Sequence, residues 1–232
     1  MDFEGNNEVG AFICLTNTYA IVGRSQSSNV VDFLRDKINF PIVETTINSI
    51  NTVGNLCAGN RHGLVCAETI NDQELLHIRN SLPANIRVVR IKDKLNAIGN
   101  NILCNDHVCL VNPEFTAIEE LESVLNVPVY KMTLGGMPLV GTYGSLNSTG
   151  LLAHPEMNEL ELKEISMLLK VNTISSTANQ GKLSVGSGIV VNDFMCITGR
   201  KCTNVEIKVA EAIFGLSSKE VDEKVLAEEV IF

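Results

Sequence analysis

Val53-Gly54-Asn55-Leu56-Cys57-Ala58-Gly59-Asn60 decides the fold, because its frame returns four more times along the chain. A β-branched residue followed by Gly stands at Val9-Gly10, Val53-Gly54, Ile98-Gly99, Val140-Gly141 and Val185-Gly186, at spacings of 44, 45, 42 and 45 residues. Six or seven residues beyond each Gly comes an Asn: Asn17, Asn60, Asn105, Asn147 and Asn192. Each Asn separates two short apolar runs, as a hairpin turn does, since Asn tolerates the left-handed backbone of tight turns. Self-similarity at a fixed period marks a repeat architecture.

Outward from each hairpin the pattern takes on a helical period. Val30, Leu34 and Ile38 share a face in the first unit, as do Leu75, Ile78 and Leu82 in the second and Ile118, Leu121 and Leu125 in the third. Leu162, Ile165 and Leu169 follow in the fourth, and Val205, Val209 and Ile213 in the fifth. Asn71 with Glu74, Thr116 with Glu119, Asn158 with Glu161 and Thr203 with Glu206 have capping-box spacing. Short β-branched runs over residues 41–47, 85–91, 127–133 and 171–177 then predict a third strand per unit.

Each unit therefore reads strand, turn, strand, helix, strand. Alone it cannot bury both its helix stripe and its sheet face, whereas five in tandem can close radially and leave few free strand edges. The sequence predicts an α/β fold, a five-bladed pseudosymmetric propeller forming one domain over residues 1–216. Its repeats fall at about 1–48, 49–93, 94–135, 136–180 and 181–216, with an acidic C-terminal tail over 217–232. The fifth unit has no third-strand run. Counting back from Gly10 as from Gly54 puts Phe3 where Ile47 falls, so the N-terminal residues are expected to supply that strand and latch the ring.

Composition narrows the function. The 232 residues carry 18 Lys plus Arg against 27 Asp plus Glu, a formal charge of −9, which disfavours affinity won by neutralising many phosphates. No apolar run approaches the roughly 20 residues that span a bilayer. The first residues are acidic and polar, unlike a secretory signal. Seven Cys, an odd and scattered set, read as reduced core residues rather than a disulfide framework.

Neither a Gly-x-Gly-x-x-Gly fingerprint nor a Walker loop is present. Cys104, His107 and Cys109 invite a metal reading, but no Cys-x2-Cys pair accompanies them, and strand alternation is expected to turn Cys104 away from the other two. No metal and no cofactor are therefore expected. His62 sits in a turn and His77 on a helix, and the cluster Arg79, Arg87, Arg90, Lys92 and Lys94 reads first as a solvated strand and helix edge.

Residues 71–75 and 77–83, read with Leu15-Thr16-Asn17-Thr18-Tyr19, Gly59-Asn60-Arg61-His62-Gly63-Leu64, Leu95-Asn96-Ala97-Ile98-Gly99-Asn100, Cys104-Asn105-Asp106 and Val190-Val191-Asn192-Asp193, resemble the eukaryotic and archaeal translation initiation factor six family in the same order. The similarity covers about residues 3–216. It implies the pentein fold, a five-bladed α/β propeller, in agreement with the repeat count. It also implies a non-enzymatic factor that binds the intersubunit face of the large ribosomal subunit, chiefly through a ribosomal protein near the sarcin-ricin loop and with little direct RNA contact. Such a factor blocks joining of the small subunit and acts in late large-subunit biogenesis as a monomer of cytoplasm, nucleus and nucleolus, away from membranes.

On that resemblance the ribosome-binding positions are Gly10, Asn55, Gly99, Asn100, Tyr143 and Ser184. The glycines equally fit a purely geometric role at strand starts. Tyr143 fits both an interface anchor and core packing. A pentein-type, cysteine-dependent guanidine-modifying hydrolase or transferase is the rival reading. It requires Cys, His and a carboxylate to converge in the central channel.

Overall fold

The computed structural model describes residues 1–216. The acidic tail over 217–232 lies outside the described residues. Among the described residues five small sheets are present, and in four of them three strands stand in sequence order. Ile13–Leu15, Ala20–Gly23 and Ile42–Thr45 form the first; Cys57–Gly59, Gly63–Ala67 and Arg87–Ile91 the second. Ile102–Cys104, Cys109–Val111 and Val129–Lys131 form the third; Ser145–Leu146, Gly150–Ala153 and Asn172–Ser175 the fourth. In each, the first two strands are antiparallel and the third runs parallel to the second. The connection from second to third strand is a helix: Asn29–Lys37, Asp72–Ser81, Ile118–Leu125 and Glu159–Leu169.

The first strand of each unit touches that of the next, and the fifth, Ile189–Val191, returns to the first. The ring is closed, a five-bladed pseudosymmetric α/β propeller of the pentein type. The residue before each repeat Gly anchors it, since Val9, Val53, Ile98, Val140 and Val185 are all fully buried. Full burial of such a side chain contributes about 1.5–3 kcal/mol.

The fifth sheet holds two strands among the described residues, Ile189–Val191 and Cys196–Thr198, followed by the helix Asn204–Ile213. The expected N-terminal strand is therefore not formed, although the latch is. Phe3 bridges Asn6 as Ile47 bridges Ile50, so the alignment of Phe3 with Ile47 holds. But Ile47 follows its strand, Ile42–Thr45, and so only Met1 reaches the sheet, where its amine donates to Thr198 O at 2.7 Å. Phe3 is buried and stacks on Phe12 with ring centroids 4.2 Å apart.

Three of the four capping boxes form, at Asn71, Asn158 and Thr203. Thr116 does not cap. Its helix begins beyond Ala117, and the Thr116 N–H and hydroxyl both donate to Asp93, which takes over the start of that helix from the preceding blade. The fifth helix is also turned from its expected phase: Val205 is exposed, whereas Glu206, Ala210 and Ile213 are buried.

Candidate functional site

The repeat glycines open onto a short helical turn in every blade: Val9–Ala11, Val53–Leu56, Ile98–Asn101, Val140–Tyr143 and Val185–Gly188. Successive turns pack on one another around one mouth of the central channel. Their approach is close enough to dictate the residue. A methyl group on Gly10, Gly54, Gly99, Gly141 or Gly186 would come within 2.0, 2.0, 1.8, 2.0 and 2.1 Å of the carbonyl oxygen of the preceding glycine in the ring. Only a residue without Cβ fits, five times in a circle.

The six positions carried from the family resemblance all lie on this face. Gly10 and Gly99 belong to the glycine circle itself. Asn55 and Asn100 follow their glycines directly, Tyr143 closes its turn, and Ser184 caps the last one. All four are half-buried. Among the described residues the side-chain amides of Asn55 and Asn100 and the hydroxyls of Tyr143 and Ser184 make no hydrogen bond, whereas the adjacent Asn101 amide is fully engaged with Ala97 O and Asn112. The Tyr143 ring stands edge-on to buried His154 at 5.0 Å, so it has packing as well as an available hydroxyl.

Inward from the mouth, a channel of about 110 Å³ is lined by the first strands, including Cys14, Cys57 and Cys104. At the far end two polar rings close it. In the first, Asn60 donates to Asn105 O, Asn105 to Asn147 O, Asn147 to Asn192 O and Asn192 to Thr16 O, at 3.1, 3.0, 3.3 and 2.9 Å. The first blade's member is thus Thr16, not Asn17. Its hydroxyl takes the Thr18 and Tyr19 N–H groups as the Asn60 side chain takes those of His62 and Gly63.

Asn17 belongs to a second ring, with Arg61, Asp106, Ser148 and Asp193. Its amide donates to Asp106 at 2.5 Å and Asp193 at 2.8 Å; Arg61 pairs with Asp106 at 2.8 Å, and Ser148 donates to Asp193 at 2.8 Å. The channel therefore ends in a plug of mutually satisfied groups. Sequence spacing could have revealed it, since these five residues each follow the turn position by one.

A catalytic constellation is not assembled among the described residues. His154 accepts from the Glu156 N–H, His77 contacts Glu44 O, and His107 is exposed. None of the three, nor His62, bonds a Cys side chain. Contact with Cys14 and burial push the Cys57 thiol up, and burial raises Cys66 to about 12, the reverse of an activated nucleophile. Cys104 does not point away from Cys109 as alternation suggested: the intervening turn makes them direct cross-strand partners. No group of three metal-capable side chains exists among the described residues. No helix among them is long and apolar enough to cross a membrane. The basic cluster is spent on local bonds, with Arg79 held by Val88 O, Arg87 by Ser123, Arg90 by Asp72 and Lys94 by Glu114.

Residues 1–213 match the model of the eIF-6 family. A protein of Encephalitozoon cuniculi named eukaryotic translation initiation factor 6 is 52% identical over 219 residues, covering 94% of this chain and 91% of its own length. Proteins of the same name from Saccharomyces cerevisiae and Caenorhabditis elegans are 43% and 40% identical, covering 92% and 94% of this chain and 89% and 91% of their own. Among solved structures, dimethylarginine dimethylaminohydrolase in adduct with S-methyl-L-thiocitrulline aligns with a TM-score of 0.49 at 12% identity, over 76% of this chain and 69% of its own. With the five-bladed ring, its glycine circle and near end-to-end matches all in view, the chain belongs to the eIF-6 family.

Proposed function

We propose that the protein is a translation initiation factor that binds the intersubunit face of the large ribosomal subunit, prevents joining of the small subunit by occupying its place, and takes part in late large-subunit biogenesis. The observation that supports this reading from the geometry is the gathering of four uncommitted polar groups, on Asn55, Asn100, Tyr143 and Ser184, around one mouth of a rigid closed ring. A half-buried polar group without an internal partner gains most from a partner across an interface. The formal charge of −9 suits docking on a basic ribosomal protein near the sarcin-ricin loop rather than on RNA. The protein acts as a monomer without cofactor, distributed between cytoplasm and nucleolus.

Co-sedimentation with purified large subunits tests this. The unaltered protein should pellet with the subunits. The double variant Asn55→Ala, Asn100→Ala should bind at least about tenfold more weakly while its unfolding free energy changes by less than about 0.5 kcal/mol, because neither amide holds the fold together. Equal binding by the double variant would place the interface on another face.

A further inference from the structure

Every blade pairs two residues eleven positions apart: one stands two places after the repeat Gly, the other at or just past the end of the second strand. The pairs are Phe12 with Gly23, Leu56 with Ala67, Asn101 with Asn112, Tyr143 with His154 and Gly188 with Gly199. Their backbones meet, since the Gly23, Asn112 and Gly199 N–H groups donate to the Phe12, Asn101 and Gly188 carbonyls at 2.8, 2.9 and 2.9 Å. Only blades three and four put a polar side chain at both positions.

In blade three the pair is closed on itself. Asn112 accepts the Glu114 N–H with its Oδ1 at 2.9 Å and donates its amide to Asn101 Oδ1 at 2.7 Å, while the Asn101 amide is spent on Ala97 O. Blade four keeps the first of these bonds and changes the second. His154 Nδ1 accepts the N–H of Glu156, again two residues on, at 3.2 Å, which leaves the imidazole proton on Nε2. Across the pair stands the Tyr143 ring, edge to face with ring centroids 5.0 Å apart and planes at 76°. Its hydroxyl stays free among the described residues, where Asn101 has nothing left to offer.

The imidazole is wedged in place. It is 2% exposed, and the turn that leads in from blade three presses on it: a methyl group on Gly135, whose φ is 58°, would stand 3.1 Å from His154 Nδ1 and 3.2 Å from Met157 Cγ. At the equivalent turns a carboxylate makes the contact, Glu74 taking the Asn48 and Ser49 N–H groups and Glu206 those of Gln180 and Gly181. Glu161, at the same helix position, accepts the Asn158 N–H alone among the described residues. In blade four a buried ring meets the turn instead, and Tyr143 rests on that ring.

We propose that His154 is a positioning residue of the binding face: it holds the Tyr143 ring in one orientation, so that the hydroxyl is presented before a partner arrives. This deepens the ribosomal reading and rests on it. A side chain that must be immobilised at an interface costs affinity severalfold, a cost that a ring already fixed by its neighbour avoids.

Binding curves from co-sedimentation with purified large subunits test the role. His154→Asn installs the residue of blade three, whose Oδ1 keeps an acceptor for the Glu156 N–H while the ring is lost, so the variant should fold. It should bind about fivefold more weakly than the unaltered protein. Tyr143→Phe, which removes the hydroxyl alone, should lose at least as much. Added to Tyr143→Ala, His154→Asn should cost nothing further, because its effect passes through Tyr143. Undiminished binding by His154→Asn or by Tyr143→Phe would overturn the proposal. So would a loss that persists on top of Tyr143→Ala, or a His154→Asn chain that does not fold, since His154 would then serve the fold rather than the face. Failure of the unaltered protein to pellet with the subunits would instead bring down the ribosomal reading, and the positioning role with it.

Discussion

At Gly99 one added methyl group would meet the Gly54 carbonyl at 1.8 Å and the Cys57 carbonyl at 2.7 Å, both backbone atoms that cannot swing aside. Gly99→Ala should therefore cost at least about 3 kcal/mol of stability, read as a lower midpoint in chemical denaturation; an unchanged midpoint would show that the ring relaxes freely around the extra atom. The five glycines were legible in the sequence because a backbone contact admits one residue type, so the identity survives in every repeat. Their partners were not legible, since each glycine meets a carbonyl more than 40 residues away. The same limit misassigned Asn17. Thr16 and Asn17 are adjacent, either can accept the turn's N–H groups, and only the circle of carbonyls identifies Thr16 as the member of the first ring.

Among the elements, the capping boxes were read correctly where the spacing alone sets the bond, yet their Glu residues do more than cap. Glu206 accepts from the Thr177 hydroxyl and the Gln180 and Gly181 N–H groups of the loop that leads in from the preceding blade, as well as from Thr203. Asn179, Gln180 and Gly181 all have positive φ, which aims their backbone toward that carboxylate. This inward pull explains why Val205 faces solvent against its apolar character. Burial opposes ionisation of Glu206, but the Thr203, Gly181 and Thr177 donors outweigh it and hold the carboxyl down at about 2. A depressed carboxyl contributes stability that is complete above the unfolded value near 4.5 and is lost as pH falls toward 2. Glu206→Gln should thus cost roughly 2–3 kcal/mol at pH 7 and almost nothing at pH 2, measured as unfolding free energy along a pH series. A constant difference across the series would refute the ionic role.

For the whole molecule, the number of blades, the order of elements and radial closure followed from period and helix phase, while the contacts that close the ring, between the first and last repeats, were not legible. Counting back to Phe3 located the latch correctly but overstated its length, since only Met1 reaches the sheet. The candidate face was legible only through family resemblance: nothing in the spacing distinguishes Asn100, whose amide is uncommitted, from Asn101, whose amide is spent inside the fold. The proposed interface is the glycine-circle face, where the side chains of Asn55, Asn100, Tyr143 and Ser184 make no hydrogen bond among the described residues. The most direct measurement is subunit joining on a density gradient, with the protein bound first to purified large subunits and small subunits then added. The account predicts that the large-subunit peak carries the protein and the joined-ribosome peak disappears in proportion to occupancy. Full joining with the protein still bound to the large subunit would contradict it.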